Sequence, residues 1–289
     1  MSGGAGGEAD AASTSGAHGS FAVDAIAFWA PTLPCWTHAR AAFRAEEAPL
    51  AVPAKRPAPE LLPAAERRRA PDTVALALEV AAAAVRASGH DAATLPSVVT
   101  STHGDLAVSD YMCATLATTP TLISPTKFHN SVHNAAAGYW TIATGCREAS
   151  TALSAFDASF AAGLLEAASQ CSADGRAVLL VAFDVAATGA LATVAASEGL
   201  LACALVLAPA AGTSSVAAVD WTIAREATDA PALRSAAARS LADNAMSGAL
   251  PLLETIATTG RDDASTLALP LSRSLALRLT VRTLAAAPR

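Results

Sequence analysis

Two histidines, a thiol, a carboxylate and a hydroxyl fall close together between residues 129 and 159. His129 and His133 stand four apart, the spacing that sets two imidazoles on one helix face as a pair of metal ligands. A third ligand at useful spacing is absent, so the pair reads as polar residues shaping the start of a helix, and no metal is assigned. Cys146 is the thiol, and a reactive thiol needs a helix N-terminus or a paired histidine to lower its pKa. Its neighbours Arg147 and Glu148 supply neither, which leaves a buried structural cysteine as the plainer reading. Ser159 lies in no G-x-S-x-G turn. Asp157 directly precedes an Ala-rich helical segment, where a carboxylate caps the helix and suits its positive end; an acid-base role there has no visible partner.

These groups have to be positioned by a layered domain. Residues 21–28 alternate as a first strand, and a proline-rich passage follows over residues 49–63. A helix over residues 72–87 starts at Pro71-Asp72 and stops at Ser88-Gly89. A β-branched strand over residues 97–102 ends at Thr102-His103-Gly104-Asp105, where a new helix begins. A helix over residues 134–144, a strand over residues 151–156 and a helix over residues 158–170 come next. The runs AVLLVAF (residues 177–183) and LLACALVL (residues 200–207) are apolar at nearly every position, as strands covered on both faces must be. Beyond Pro209 the pattern gives a strand over residues 215–224, helices over residues 231–241 and 250–258, and one or two closing strands over residues 267–281. Strands alternating with helices at this pace make an α/β layered domain.

Composition narrows the function classes. A net charge of −6, with Lys55 and Lys127 as the only lysines and no basic stripe, argues against a nucleic-acid surface, and an acidic protein partner would have to find local arginines. The 53% hydrophobic content supplies ample core. Five cysteines without a C-x-x-C pair look like reduced, mostly buried thiols, and a cytoplasmic protein is expected. Residues 1–20 lack a basic n-region and an apolar h-region and read as a disordered Gly/Ser/Ala tail. No membrane span is expected.

The order and spacing of Asn134 to Gly138 (Asn-x-x-Ala-Gly), then Thr141 and Ile142, Gly145 and Ser150, resemble the beta-ketoacyl synthase-like (N-terminal domain) family of the thiolase superfamily. Ser197-Glu198-Gly199 is similar to a Gly-Glu-Gly turn of that family with its first glycine replaced. The resemblance is strongest over residues 124–184 and is not registered after residue 209. It implies a tail over residues 1–20 and one synthase-like domain over residues 21–289, a thiolase-like α/β fold with helices on a mixed, largely buried sheet and a reduced second half. In the family a nucleophilic cysteine stands at the end of the strand after the serine. Here Asp157 falls at that position, and a carboxylate cannot hold an acyl chain as a thioester. The family's two later catalytic histidines are missing too, since no histidine follows His133.

Phrases such as SPTKFHNSVHNAAAGYW and SFAAGLLEA look like the chain-length-factor-like subunits of aryl polyene, polyketide and fatty-acid-like systems. The resemblance implies no catalytic residue of its own, no cofactor, a heterodimer with an active ketosynthase, and contact with an acyl carrier protein through that complex. Residues 151–156 would then be an apolar, uncharged edge strand awaiting a partner chain. Tyr139, Trp140, Thr151, Leu153, Phe156 and Phe160 are the candidates for the interface or the partner's acyl tunnel, with core packing as the alternative for each aromatic. Two rival readings are an acyltransferase or thioesterase using Cys146 or Ser159, and a homodimeric acyl-binding scaffold.

Overall fold

The computed structural model describes residues 17–261 and 263–284. Its strands are β1 (His18–Trp29), β2 (Ser97–Thr100), β3 (Ser150–Leu153), β4 (Val178–Val185), β5 (Leu200–Ala208), β6 (Ala217–Ala224), β7 (Ala264–Ser272) and β8 (Leu275–Thr283). The helices between them are α1 (Trp36–Phe43), α2 (Ala64–Arg69), α3 (Asp72–Ser88), α4 (Leu106–Thr118), α5 (Pro125–His129), α6 (Ala135–Thr144), α7 (Ser159–Asp174), α8 (Ala236–Arg239) and α9 (Leu250–Thr258). One mixed sheet runs in the order β3-β2-β4-β5-β1-β6-β8-β7. β2 is parallel to β3 and β4, and every other pairing in the sheet is antiparallel.

Burial on both faces explains the apolar runs of β4 and β5. On β4, Val178, Leu180 and Ala182 pack toward α7, whereas Leu179, Val181, Phe183 and Val185 pack beneath α3 and α6. The period of two that separates these sets is the pleat itself. α7 shares one continuous apolar core with α1, α9 and the buried residues of β7 and β8.

β1 joins the two halves of the sheet. Residues 22–29 pair with β5 and residues 18–23 with β6, and the register shifts at a bulge between Val23 and Ala25. Asp24 in that bulge accepts a hydrogen bond from Ser215 Oγ at 2.6 Å and lies 3.0 Å from His90 Nε2, tying the strand to the β5–β6 turn and the end of α3. Past β6 the described residues add α8, a short 3-10 turn at Ser247–Ala249, α9, β7 and β8, which is the reduced second half. The outer side of β6 and β8 carries the ion pairs Arg278–Glu226 and Arg282–Asp220, so that face is built for water.

Several expected boundaries move: the strand expected over residues 97–102 stops at Thr100, and the helix expected over residues 158–170 runs from Ser159 to Asp174. β1 begins at His18, so the last residues of the expected tail are strand, while residues 1–16 lie outside the described residues. The strand expected over residues 151–156 stops at Leu153. The helix expected over residues 231–241 shrinks to α8, because the buried carboxylate of Glu254 accepts from the backbone N–H of Arg234 and Ser235 and holds that segment extended before the helix. The closing strands form a hairpin turning at Arg273-Ser274.

Candidate functional site

The carboxyl ends of β2, β3 and β4 converge with the start of β5 and the loop before α9. Asp184, near the end of β4, is fully buried and accepts from Ser101 Oγ (2.7 Å), Thr102 N (2.8 Å) and His103 N (3.2 Å). Burial raises its pKa above the ordinary carboxylate value, and those three donors oppose the rise. Ser101 Oγ in turn accepts from Gly104 N, and the Ser101 carbonyl lies 3.0 Å from His133 Nε2. Asn244 donates to the carbonyls of Asp184 and Glu198, and Ser197 Oγ accepts from Ala245 N. This network braces the turn between β3 and α7, since Thr102 Oγ1 is within 3.5 Å of the Phe156 carbonyl and Ser154 Oγ donates to the Thr102 carbonyl.

That turn reads Ser154-Ala155-Phe156-Asp157-Ala158 and contains no thiol. Phe156 has φ +50°, one of two positive-φ residues other than glycine among the described residues, and its ring is 83% exposed. Such a conformation is strained for a bulky side chain and persists only where its surroundings impose it. Ser159 imposes it: its Oγ donates to the Phe156 carbonyl at 2.6 Å and accepts from Ala155 N at 2.9 Å. The expected helix cap is thereby corrected. Ala158 holds the cap position without a side-chain bond, Asp157 is exposed, and Ser159 closes the turn instead.

The other candidates scatter. Ser159 is buried, with its hydroxyl engaged on both sides by the turn. Cys146 is buried and its thiol donates to the Leu95 carbonyl. Among the described residues, both side chains bond only to backbone groups. Burial pushes the thiols of Cys171 and Cys203 up to about 11 and about 12, with the charge of Asp24 adding to the rise at Cys171. His129 and His133 do not share a helix: His129 ends α5 and meets Tyr139 edge-on at 6.1 Å, while His133 turns to Ser101. Trp140 and Phe160 are core residues, 3% and 2% exposed, on opposite sides of the sheet. Tyr139 is half-buried. On β3, Thr151 accepts from Gln170 of α7 and Leu153 packs on the α7 core, whereas Ser150 and Ala152 line a groove of about 450 Å³ with His133, Gly138 and Thr141.

The opposite edge of β3 pairs with nothing among the described residues, and Ser150-Thr151-Ala152-Leu153 carries neither charge nor proline. Natural edges are blunted by such groups. Phe128 (62%), Val132 (51%) and Ile142 (80%) are exposed on the α5–α6 segment beside it and line a second groove of about 840 Å³ against Leu61 and Arg69. The helix expected to begin at Thr102-His103-Gly104-Asp105 is α4, LAVSDYMCATLAT, capped by Asp105; sequence reasoning gave it no role, yet its apolar residues lie all round the helix although only Leu106 and Val108 are buried. Sequence reasoning missed the Asp184 network, for which the only signal was an aspartate ending an apolar run.

No curated protein matches the sequence. Among solved structures, a complex of the ketosynthase ApeO with its chain length factor ApeC from Xenorhabdus doucetiae matches with TM-score 0.69 at 22% identity, over 90% of this chain and 99% of the matched one. The ishigamide ketosynthase/chain length factor matches with TM-score 0.70 at 14% identity, over 92% and 100%. The AntDE:AntF complex, a type II polyketide acyl-carrier protein with its ketosynthase bound to the hexaketide, matches with TM-score 0.73 at 11% identity, over 93% and 100%. At these identities the likeness establishes the fold, a thiolase-like layered α/β sheet. The sequence profile of the beta-ketoacyl synthase N-terminal domain matches residues 40–267, and the chain belongs to that family.

Proposed function

We propose that this chain is a non-catalytic, chain-length-factor-like subunit. It pairs with an active ketosynthase in the cytoplasm, narrows that enzyme's acyl tunnel, and meets an acyl carrier protein through the complex. The observation that carries the reading is the edge of β3, uncharged and unpaired among the described residues, together with the exposed apolar residues of α4, α5 and α6. An edge of this kind invites aggregation unless a second chain covers it. The turn after β3, where the family resemblance puts the nucleophile, offers Phe156 and Asp157, and neither side chain forms a thioester. Two of the structurally similar complexes are by name ketosynthases with chain length factors, which agrees with a paired rather than a solitary role. Aryl polyene, polyketide and fatty-acid-like chains are the product classes the reading covers.

The test is affinity purification of the tagged full chain from its native cytoplasm, with the stoichiometry of co-purifying proteins measured by mass spectrometry. An intact ketosynthase in one-to-one ratio is expected. A chain recovered alone that becomes acylated at Cys146 or Ser159 by acyl thioesters overturns the reading in favour of an acyl-transfer enzyme. A homodimer without a ketosynthase overturns it in favour of a scaffold.

A further inference from the structure

The exposed ring of Phe156 is unlike the other exposed apolar side chains. Val52 and Val194 sit in irregular or 3-10 segments, and Ile142 on a regular helix. Phe156 is held out by a backbone that a glycine would adopt freely and a phenylalanine adopts only under constraint. The constraint is built from several sides. Its carbonyl accepts from Ser159 Oγ and Ser159 N, the neighbouring Ala155 carbonyl accepts from Ala158 N, and Thr102, itself fixed by Asp184, closes on it from the bend after β2. A fold that needed only the turn would be served better by glycine, and no contact among the described residues accounts for the ring.

We infer that Phe156 is the anchor of the subunit contact: its pre-positioned ring enters an apolar pocket of a ketosynthase subunit aligned along the free edge of β3. This rests on the partner reading above and deepens it. The ring stands three residues beyond Leu153, the last residue of that edge, so a chain pairing with β3 meets it next. Aromatic residues dominate binding energy at interfaces when their geometry is fixed before contact, because little side-chain freedom remains to be lost. The ring's immediate chain neighbours are Ala155 and one carboxylate, Asp157, which leaves the pocket to be apolar with a polar rim. A second copy of this chain is the competing occupant, and it is an outcome of the test.

The experiment measures two quantities on full-length wild type, Phe156→Gly and Phe156→Leu: the melting temperature of the free chain, and the Kd for the purified ketosynthase recovered with it. Phe156→Gly is expected to hold or raise the melting temperature, since it releases the strained φ, while weakening binding by at least about 30-fold, the hot-spot range. Phe156→Leu keeps part of the apolar bulk and is expected to fall between the two. Binding of Phe156→Gly within about threefold of wild type overturns the anchor and leaves the partner reading standing. A wild-type chain that binds no ketosynthase and sediments as a homodimer overturns the partner reading and the anchor with it.

Discussion

Ser159 Oγ touches the strained residue and its neighbour at once, donating 2.6 Å to the Phe156 carbonyl and accepting 2.9 Å from the Ala155 amide. A serine beside a strand-to-helix turn invites assignment as a nucleophile, yet both hydrogen-bonding sides of this hydroxyl are committed to holding the turn. Ser159→Ala removes both bonds and leaves the Ala155 amide without its acceptor, a loss of about 1–3 kcal/mol. The expected result is a lower melting temperature together with faster hydrogen exchange at Ala155. An unchanged exchange rate there would show that the turn holds without the hydroxyl.

Gly163 sets the depth at which α7 lies against β2. A Cβ at this position would meet Thr100 Cγ2 at 2.8 Å and Thr100 Cβ at 3.0 Å. Thr100 is fully buried, β-branched and bonded through Oγ1 to the Ser159 carbonyl, so it has little room to give. Gly163→Ala gains about 1 kcal/mol of helix propensity. Against that, overpacking of this kind costs about 1–3 kcal/mol. With so stiff a neighbour overpacking prevails, and thermal unfolding should show the melting temperature falling by a few degrees. A rise would mean that α7 slides away from β2 freely.

Much of the frame is legible in the chain because it follows from local rules. The runs of β4 and β5 have to be apolar at every position once both faces are covered, and the Ala-rich segment after the turn has to be a helix. What sequence could not reveal depends on contacts between distant residues or on one dihedral angle. Asp157 is a sound cap by type, but the turn closes one residue earlier in space, at Phe156, where no glycine announces the positive φ. Ser101 and Asp184 are 83 residues apart, and neither signals the other. Trp140 and Phe160 share composition with Phe156, and only the sheet's two packed faces decide that they are core while Phe156 is surface.

Asp184 gives the fold a pH dependence of definite sign. Its folded-state pKa is raised above 3.8 because burial disfavours the charge more than Ser101, Thr102 and His103 favour it. A raised carboxyl binds its proton more tightly in the folded chain. Its contribution to stability is therefore fullest below the ordinary carboxylate range and is lost as pH rises through the folded value. Asp184→Asn keeps an acceptor for Ser101 and His103 but does not titrate. Chemical unfolding from about pH 4 to about pH 7 should thus show wild type losing stability relative to Asp184→Asn as pH rises. A difference that moves in favour of wild type over that range would mean that the three donors outweigh burial.

The thiols report which surface a partner covers. Cys35 and Cys113 are exposed, whereas Cys146, Cys171 and Cys203 are buried, the last two with pKa values pushed up to about 11 and about 12. A thiol-reactive probe near neutral pH should label Cys35 and Cys113 quickly in the native chain and the buried three only on unfolding, because attack requires an accessible thiolate. The two exposed thiols lie on different elements: Cys113 on α4, whose apolar circumference is mostly uncovered, and Cys35 at the start of α1, which packs with α8 and α9. If α4 belongs to the covered surface, adding the co-purified ketosynthase slows labelling of Cys113 by about tenfold or more, as for any locally protected group, and leaves Cys35 unchanged. Equal slowing at both would place the contact elsewhere. Undiminished labelling of Cys113 in a complex of proven one-to-one stoichiometry would remove α4 from the interface and confine the contact to β3, α5 and α6.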